Sequence, residues 1–120
     1  MKDITETRLF SEHYNKALKE IRDAEEIVIF GVGVYGKVLV NDIKDYEIAK
    51  VLCFCDNNPE LAGTKFQGID VYDRKSMLER FPHVMVVITP KIYMNEILRQ
   101  LLKDGKSMDE MMVVDVEGRW

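Results

Sequence analysis

The chain has few residues suited to forming disulfides or binding metal ions. Its 120 residues include two cysteines and two histidines. Cys53 and Cys55 are two apart in an apolar run, so a strand would hold their side chains parallel on one face, which is poor disulfide geometry. Two thiols without a neighbouring histidine or cysteine pair also fall short of the four ligands of a zinc site. We interpret both cysteines as reduced, buried packing residues.

The sequence also lacks an excess of positive charge and a long apolar segment. Its formal net charge is −4 and its isoelectric point is about 5.2, whereas nucleic-acid binding relies on clustered Lys and Arg. Apolar runs such as 84–88 are far shorter than the roughly 20 residues that span a bilayer. The first ten residues contain acids and no signal-peptide core. We therefore expect a cytoplasmic protein without nucleic-acid or membrane partners.

The composition is that of one folded domain. Apolar residues make up 47% of the chain and charged residues 32%, and a chain of this length buries a single core. The sequence has no internal repeat and no linker that would divide it. We predict a single domain over 1–120, with an N-terminal helix in 1–25 and a βαβ core in 26–116.

Strands and helices are predicted to alternate along this core. Continuous apolar runs predict buried strands, and helically spaced apolar residues predict the helices between them. Such units join by right-handed crossovers into a mainly parallel sheet. We expect a three-layer Rossmann-like α/β domain whose five-stranded sheet has the order 3-2-1-4-5. The predicted strands are 27–30, 51–55, 69–72, 84–89 and 111–114, with room for a short edge hairpin through Lys65 and Phe66.

Local signals indicate where the helices begin and how the first one packs. Asp3 and Glu6 resemble a capping box, Asp73 is predicted to cap the third helix, and Pro90 is predicted in the first turn of the fourth. We expect the apolar face of the N-terminal helix to pack on the sheet, with a homodimer contact as the alternative. That face comprises Phe10, Tyr14, Ala17, Leu18 and Ile21.

A glycine-rich turn follows the first predicted strand. Residues 31–36 fit the G-x-G-x-x-G pattern of dinucleotide-binding domains. Gly31 would allow the tight turn, Gly33 would let a pyrophosphate approach the backbone, and Gly36 would let helix and strand pack closely. The N–H groups of the following helix would face the phosphates. The alternative is a strand-to-helix turn that binds nothing.

Polar residues end two neighbouring predicted strands. Asp56 closes the second strand, where a carboxylate can accept hydrogen bonds from ribose hydroxyls and would repel a 2′-phosphate, favouring NAD-like or UDP-like ligands over NADP. The alternative is a residue that caps its own loop. Thr89 and Lys91, at the end of the fourth strand, could reach a phosphate or sugar, with a polar helix cap as the alternative.

Two motifs of catalytic proteins overlap this region and are rejected. Residues 31–37 also fit the phosphate loop of NTPases, but Val38 stands where that motif needs a hydroxyl for Mg²⁺. Tyr46 and Lys50 have the spacing of a dehydrogenase acid-base pair, but they precede the second strand, at the edge opposite the ligand. We find no nucleophile with an adjacent base, and we predict no catalytic residue in the isolated domain.

Three segments resemble a known family. The strings IVIFGVGVYGK, VLCFCDNNPELAGTKFQGIDVYD and VMVVITP resemble the Rossmann-type nucleotide-binding domain, also described as CoA-binding-like, of polysaccharide-biosynthesis proteins. That domain stands at the N-terminus of nucleotide-sugar epimerases and dehydratases and of sugar acyltransferases. The resemblance covers residues 27–114 and departs from the family at Val32, where a small residue is usual.

The resemblance implies a site for NAD or a UDP-sugar and a catalytic partner domain, because the relatives continue into a catalytic module. The parent protein would then be a nucleotide-sugar epimerase, a dehydratase or a sugar transferase. Two alternatives stay open: an interaction or dimerisation module without a ligand, and a small nucleotide-linked sensor. The implied site residues are Gly31, Gly33, Tyr35 and Gly36 at the phosphates, Asp56 and Asn57 at the ribose or base, and Thr89 and Pro90 closing the pocket.

Overall fold

A computed structural model describes residues 10–120 as a three-layer α/β domain. Asp3 and Glu6, the predicted capping box, lie outside the described residues. The helices are α1 (Glu12–Ala24), α2 (Val34–Asp45), α3 (Arg74–Arg80) and α4 (Met94–Lys103). The strands are β1 (Glu26–Phe30), β2 (Lys50–Cys55), β3 (Lys65–Phe66), β4 (Ile69–Tyr72), β5 (Met85–Ile88) and β6 (Met111–Val113).

The sheet has the order β3-β4-β2-β1-β5-β6, and every neighbouring pair is parallel except β3 and β4. The predicted order 3-2-1-4-5 corresponds to β4-β2-β1-β5-β6 and is confirmed. The edge hairpin through Lys65 and Phe66, for which the sequence left room, is present and adds a sixth, antiparallel edge strand to the five predicted. Gln67 and Gly68, both with positive φ, make the two-residue hairpin turn that joins it to β4.

The central strand β1 is buried on both faces, which explains its uninterrupted apolar sequence. Ile27 and Ile29 pack with residues of α1 and α2, whereas Val28 and Phe30 pack with residues of α3 and α4. This division places two helices on each side of the sheet. The apolar face of α1 therefore packs within the domain, as predicted.

The two cysteines occupy the face of β2 that packs against α3 and α4. Cys53 and Cys55 are free thiols with no exposed surface. Burial raises the pKa of Cys53 to about 12 and raises that of Cys55 as well. Thiols that stay protonated at neutral pH are poor nucleophiles and poor metal ligands, which agrees with their interpretation as packing residues.

Helix caps account for two of the observed boundaries. Ser11 caps α1 by accepting a hydrogen bond from the Tyr14 N–H, and Asp73 caps α3 through the Ser76 N–H at 2.7 Å, as predicted. The prediction that Pro90 lies in the first turn of the fourth helix is wrong. Pro90 precedes a separate turn over residues 91–93, because the chain remains hydrogen-bonded to β1 as far as residue 89, and α4 begins at residue 94.

Candidate functional site

The glycine turn between β1 and α2 begins at a position that only glycine can occupy. Gly31 has a φ of 120°, a conformation that residues with a Cβ rarely adopt. A Cβ at this position would lie 2.5 Å from the Thr89 Oγ1 and 2.8 Å from the Pro90 ring. The Gly31 N–H donates to the Cys55 carbonyl at 2.8 Å. Gly31 thus lets the ends of β1, β2 and β5 meet.

The other two glycines of the motif differ in what surrounds them. A Cβ on Gly36 would lie 2.2 Å from the carbonyl oxygen of Gly31, so close packing of α2 on the turn requires glycine here. Gly33 has extended backbone, with a φ of −177°, and a Cβ there would meet nothing within 4 Å. The fold therefore requires Gly31 and Gly36, while Gly33 borders open space.

That open space is a cavity of about 480 Å³, within the range of small-molecule sites. It lies at the carboxyl ends of β1, β2 and β5, where β1 has β2 on one side and β5 on the other. This reversal of strand order is the usual ligand position in open α/β sheets. All eight residues assigned to the site from the sequence line the cavity: Gly31, Gly33, Tyr35, Gly36, Asp56, Asn57, Thr89 and Pro90.

Asp56 joins the glycine turn to the loop after β2. Its Oδ2 accepts a hydrogen bond from the Val32 N–H at 2.9 Å, and its Oδ1 accepts one from the Asn58 N–H, also at 2.9 Å. The loop-capping alternative for Asp56 is therefore what this structure displays. Each carboxylate oxygen can accept a second hydrogen bond, so the carboxylate can still accept hydrogen bonds from ribose hydroxyls.

Asn57 lines the cavity but directs its amide to neighbouring helices. Its Nδ2 donates to the Gln100 Oε1 at 2.8 Å, and its Oδ1 accepts from Arg74 at 3.4 Å. Gln100 in turn lies 3.5 Å from a carboxylate oxygen of Glu96, another residue of the cavity wall. A contact between the Asn57 side chain and a ribose or base would have to replace one of these bonds.

Both polar groups of Thr89 donate hydrogen bonds to the backbone of β1. Its hydroxyl donates to the Phe30 carbonyl at 3.0 Å and its N–H donates to the same oxygen at 3.1 Å. Thr89 is buried, and Pro90 beside it packs against the glycine turn. The two residues form part of the cavity wall.

Tyr35 lies in the first turn of α2 and contacts the C-terminal part of the chain. Its hydroxyl donates a hydrogen bond to the Glu117 Oε1, and Lys91 approaches the Glu117 Oε2 to 3.4 Å. The hydrogen bond raises the pKa of Tyr35 and, together with Lys91, lowers the pKa of Glu117. Lys91 stands beside the cavity and does not line it.

The cavity wall includes residues that the sequence analysis did not single out. Tyr93, Glu96 and Ile97 come from the start of α4 and the turn before it. A helix that follows β5 begins at the same sheet edge as the glycine turn, so its first turn could have been expected here. Phe30, Val34 and Asn58 are further examples.

The wall contains carboxylates but no cationic side chain. Asp56 and Glu96 line the cavity, whereas its lining holds no Lys, Arg or His among residues 10–120. The N-terminus of α2 has no side-chain cap, since its first turn begins at Gly33. The free N–H groups and the helix dipole at this N-terminus are therefore the main groups of the cavity wall that attract an anion.

Neither a metal cluster nor the tyrosine-lysine pair belongs to the cavity. Within the described residues, no three His, Cys, Asp or Glu side chains are grouped to hold a metal ion. Tyr46 follows α2 and Lys50 begins β2, both at the edge opposite the cavity.

Across 10–120, no helix has the length and apolar character to cross a membrane.

Reversed strand order around β1, the glycine turn and the acid after β2 define a Rossmann-like domain. Residues 23–112 match the family model described as C2185-like, N-terminal, and the chain belongs to this family. No curated protein sequence matches the chain. The family description mentions no polysaccharide biosynthesis, so that part of the sequence-based resemblance remains a hypothesis.

Solved structures with a similar fold include a sugar-nucleotide dehydrogenase and a repressor. UDP-D-quinovosamine 4-dehydrogenase from Vibrio fischeri aligns with a TM-score of 0.61 and 18% identity over 76% of this chain and 78% of its own. RSP, a Rex-family repressor, aligns with a TM-score of 0.58 and 19% identity over 88% of this chain and 61% of its own.

RSP has also been solved in complex with β-NAD⁺ and operator DNA. That structure gives a TM-score of 0.53 and 17% identity over 86% of this chain and 57% of its own. This chain thus spans about three fifths of the repressor. At these identities the likeness establishes the Rossmann-like fold.

Proposed function

We propose that the chain is a nucleotide-binding domain that binds NAD or a UDP-sugar in the cavity and has no catalytic activity by itself. The observation that carries the proposal is the surroundings of Gly33. Its backbone is extended and a Cβ would touch nothing, so the fold gives no reason for glycine there. A ligand that approaches the backbone closely does give a reason.

In this proposal the ligand's pyrophosphate lies beside Gly33, at the uncapped N-terminus of α2. Ribose hydroxyls donate to the free acceptor positions of Asp56, whose charge disfavours a 2′-phosphate. The absence of cations from the described cavity wall disfavours ligands with more phosphate groups, such as a triphosphate. NAD and UDP-sugars both carry a ribose and one pyrophosphate.

We further propose that the domain, as a single unit over 1–120, serves a catalytic partner domain in nucleotide-sugar or polysaccharide biosynthesis. The sequence resemblance to the domain of sugar epimerases, dehydratases and acyltransferases supports this role. The fold shared with a UDP-sugar dehydrogenase is consistent with it. Under this proposal the partner domain supplies the catalytic residues.

A thermal-shift panel tests the binding proposal. It compares NAD, NADP, a UDP-sugar, CoA and S-adenosylmethionine on the parent protein and on Gly33→Val. A ligand at 100 times its Kd should add about 2.7 kcal/mol to the stability of the parent. Gly33→Val should fold normally and show no shift with that ligand. An equal shift in both proteins would contradict the placement of the ligand at Gly33.

A second candidate function is an interaction or dimerisation module without a ligand. Two observations favour it: both Asp56 oxygens already accept backbone hydrogen bonds, and the mouth of the cavity is apolar and exposed. Val34 and Tyr93, which line the cavity, are 75% and 60% exposed, and Ile92, the chain neighbour of Tyr93, is 89% exposed. A panel without any shift, together with a dimer in sedimentation that Tyr93→Lys dissociates, would favour this function.

The nucleotide-linked sensor is a third candidate, suggested by the Rex-family structure solved with β-NAD⁺ and operator DNA. The net charge of −4 argues against DNA contact by this domain itself. A sensor would therefore need a separate DNA-binding partner. Electrophoretic mobility of a DNA panel with the purified chain, with and without NAD, separates this candidate from the other two.

A further inference from the structure

Glu117 contacts Tyr35, a residue of the cavity wall, and Lys91, the chain neighbour of the wall residue Pro90. One of its carboxylate oxygens accepts the hydrogen bond of the Tyr35 hydroxyl, and the other lies 3.4 Å from the Lys91 Nζ. Tyr35 belongs to the first turn of α2, whereas Lys91 follows Pro90, which packs against Gly31 of the glycine turn. The carboxylate therefore joins the two segments that border the proposed phosphate position.

The backbone that carries Glu117 is fixed by other contacts. The hydroxyl and N–H of Ser11 donate to carbonyls of the same turn at 2.6 and 2.7 Å, and Arg119 pairs with the buried Asp42 at 2.9 Å. The Glu117 side chain itself is 50% exposed and that of Lys91 is 65% exposed. Exposed ion pairs of this kind are weak. The carboxylate can therefore leave its partners while the turn stays in place.

We propose that the Tyr35 hydroxyl and the Lys91 ammonium form an anion subsite that Glu117 occupies in the free protein and a ligand phosphate occupies in the complex. A phosphate oxygen accepts hydrogen bonds from the same two donors, and the pyrophosphate of NAD or a UDP-sugar carries two negative charges where the carboxylate carries one. Lys91 supplies the positive charge that the described cavity wall lacks. The lowered pKa of Glu117 agrees with a position that favours an anion.

This inference rests on the proposed nucleotide-binding function. It adds that the Glu117 carboxylate competes with the ligand phosphate for the same subsite. Removing the charge of Glu117 should strengthen phosphate binding, because the ligand no longer displaces a bound carboxylate. Removing the charge of Lys91 should weaken it. The affinity for a nucleoside, which has no phosphate, should be the same in both variants as in the parent, since the subsite recognises only the anion.

The test is a calorimetric titration of NAD, a UDP-sugar, adenosine and uridine into the parent, Glu117→Gln, Lys91→Gln and Glu79→Gln. Glu79 is the matched control, because it is an exposed glutamate on α3 that loses the same charge away from the cavity. Glu117→Gln should bind the phosphate-bearing ligand about three- to fivefold more tightly and Lys91→Gln about three- to fivefold more weakly. Glu79→Gln and the nucleosides should stay within about twofold of the parent values.

The outcomes separate this inference from the function on which it rests. Binding by the parent with unchanged or weaker affinity in Glu117→Gln would overturn the inference alone, as would unchanged affinity in Lys91→Gln. Failure of all four proteins to bind any of the four compounds would overturn the proposed function and the inference together. Binding by Glu117→Gln without detectable binding by the parent would support both. Melting curves confirm that each variant is folded before titration.

Discussion

The Oδ2 of Asp56 accepts a 2.9 Å hydrogen bond from the N–H of Val32, so the residue that follows β2 holds the turn that follows β1. The same carboxylate holds the Asn58 N–H in its own loop. Asp56 therefore organises both backbone segments at this side of the cavity. Its proposed contact with ribose is an addition to this structural role.

Substitution of Asp56 is expected to lower both stability and affinity. Asp56→Ala leaves two backbone N–H groups without their acceptor, and such charge-assisted hydrogen bonds contribute about 1.5 to 3 kcal/mol each. Asp56→Asn keeps one acceptor oxygen and should lose less stability. Urea denaturation and ligand titration of both variants provide the measurement. Equal stability of Asp56→Ala and the parent would contradict the structural role, and equal ligand affinity would contradict the ribose contact.

Tyr14 should stabilise the fold through the carboxylate of Asp42. Its hydroxyl donates to the buried Asp42 Oδ2 at 2.7 Å. We expect Tyr14→Phe to reduce the free energy of unfolding by about 1 to 3 kcal/mol at neutral pH, since a buried charged acceptor loses a donor. Urea denaturation at neutral pH measures this loss.

The same variant should show a defined pH dependence. Burial raises the pKa of Asp42 in the folded protein, although Tyr14 and Arg119 oppose this shift. The folded state therefore holds the Asp42 proton more tightly than the unfolded state, and this contribution to stability is lost as the pH rises through the raised value. Tyr14→Phe should raise the folded pKa further, so its destabilisation should grow from acid to neutral pH. A loss that is constant across this range would contradict the pairing with the ionised form.

The strand order and the lining of the cavity could be predicted because both follow from local patterns. Apolar runs give the strands, right-handed crossovers order them, and the residues after parallel strands meet at one edge. The contact between Tyr35 and Glu117 could not be predicted, since its partners are 82 positions apart and meet only through the packing of the C-terminal turn. The direction of the Asn57 amide likewise depends on Gln100 and Arg74, which come from two different helices.

The isolated chain is expected to show no dehydrogenase, kinase or hydrolase turnover. The described cavity wall offers Asp56 and Glu96 but no histidine, cysteine or lysine that could serve as a nucleophile or base, and Tyr35 has a raised pKa. Incubation with NAD and with UDP-sugars, followed by chromatography of the products, tests this. Steady consumption of either compound that is lost in Asp56→Ala would refute the prediction.

The three glycines of the turn should separate into structural and ligand-dependent positions. Gly36→Ala places a Cβ 2.2 Å from the Gly31 carbonyl oxygen, which neither the turn nor α2 can accommodate without shifting. We expect this variant to lose about 1 to 3 kcal/mol of unfolding free energy or more. Gly33→Ala places its Cβ in open space on an extended backbone, so its stability should match that of the parent within about 0.5 kcal/mol.

Ligand affinity should fall more in Gly33→Ala than in Gly36→Ala, which is the reverse of the order expected for stability. Gly33→Ala narrows the approach to the backbone at the start of α2, so it should weaken the phosphate-bearing ligand while the protein stays as stable as the parent. Gly36→Ala, measured at a temperature where it remains folded, should retain more affinity than Gly33→Ala, because its added methyl group points into the turn and not into the cavity. Denaturation curves and titrations of the two proteins under the same conditions give both quantities. Equal losses of stability would mean that all three glycines are structural, and unchanged affinity in Gly33→Ala would remove the main support for a ligand at this turn.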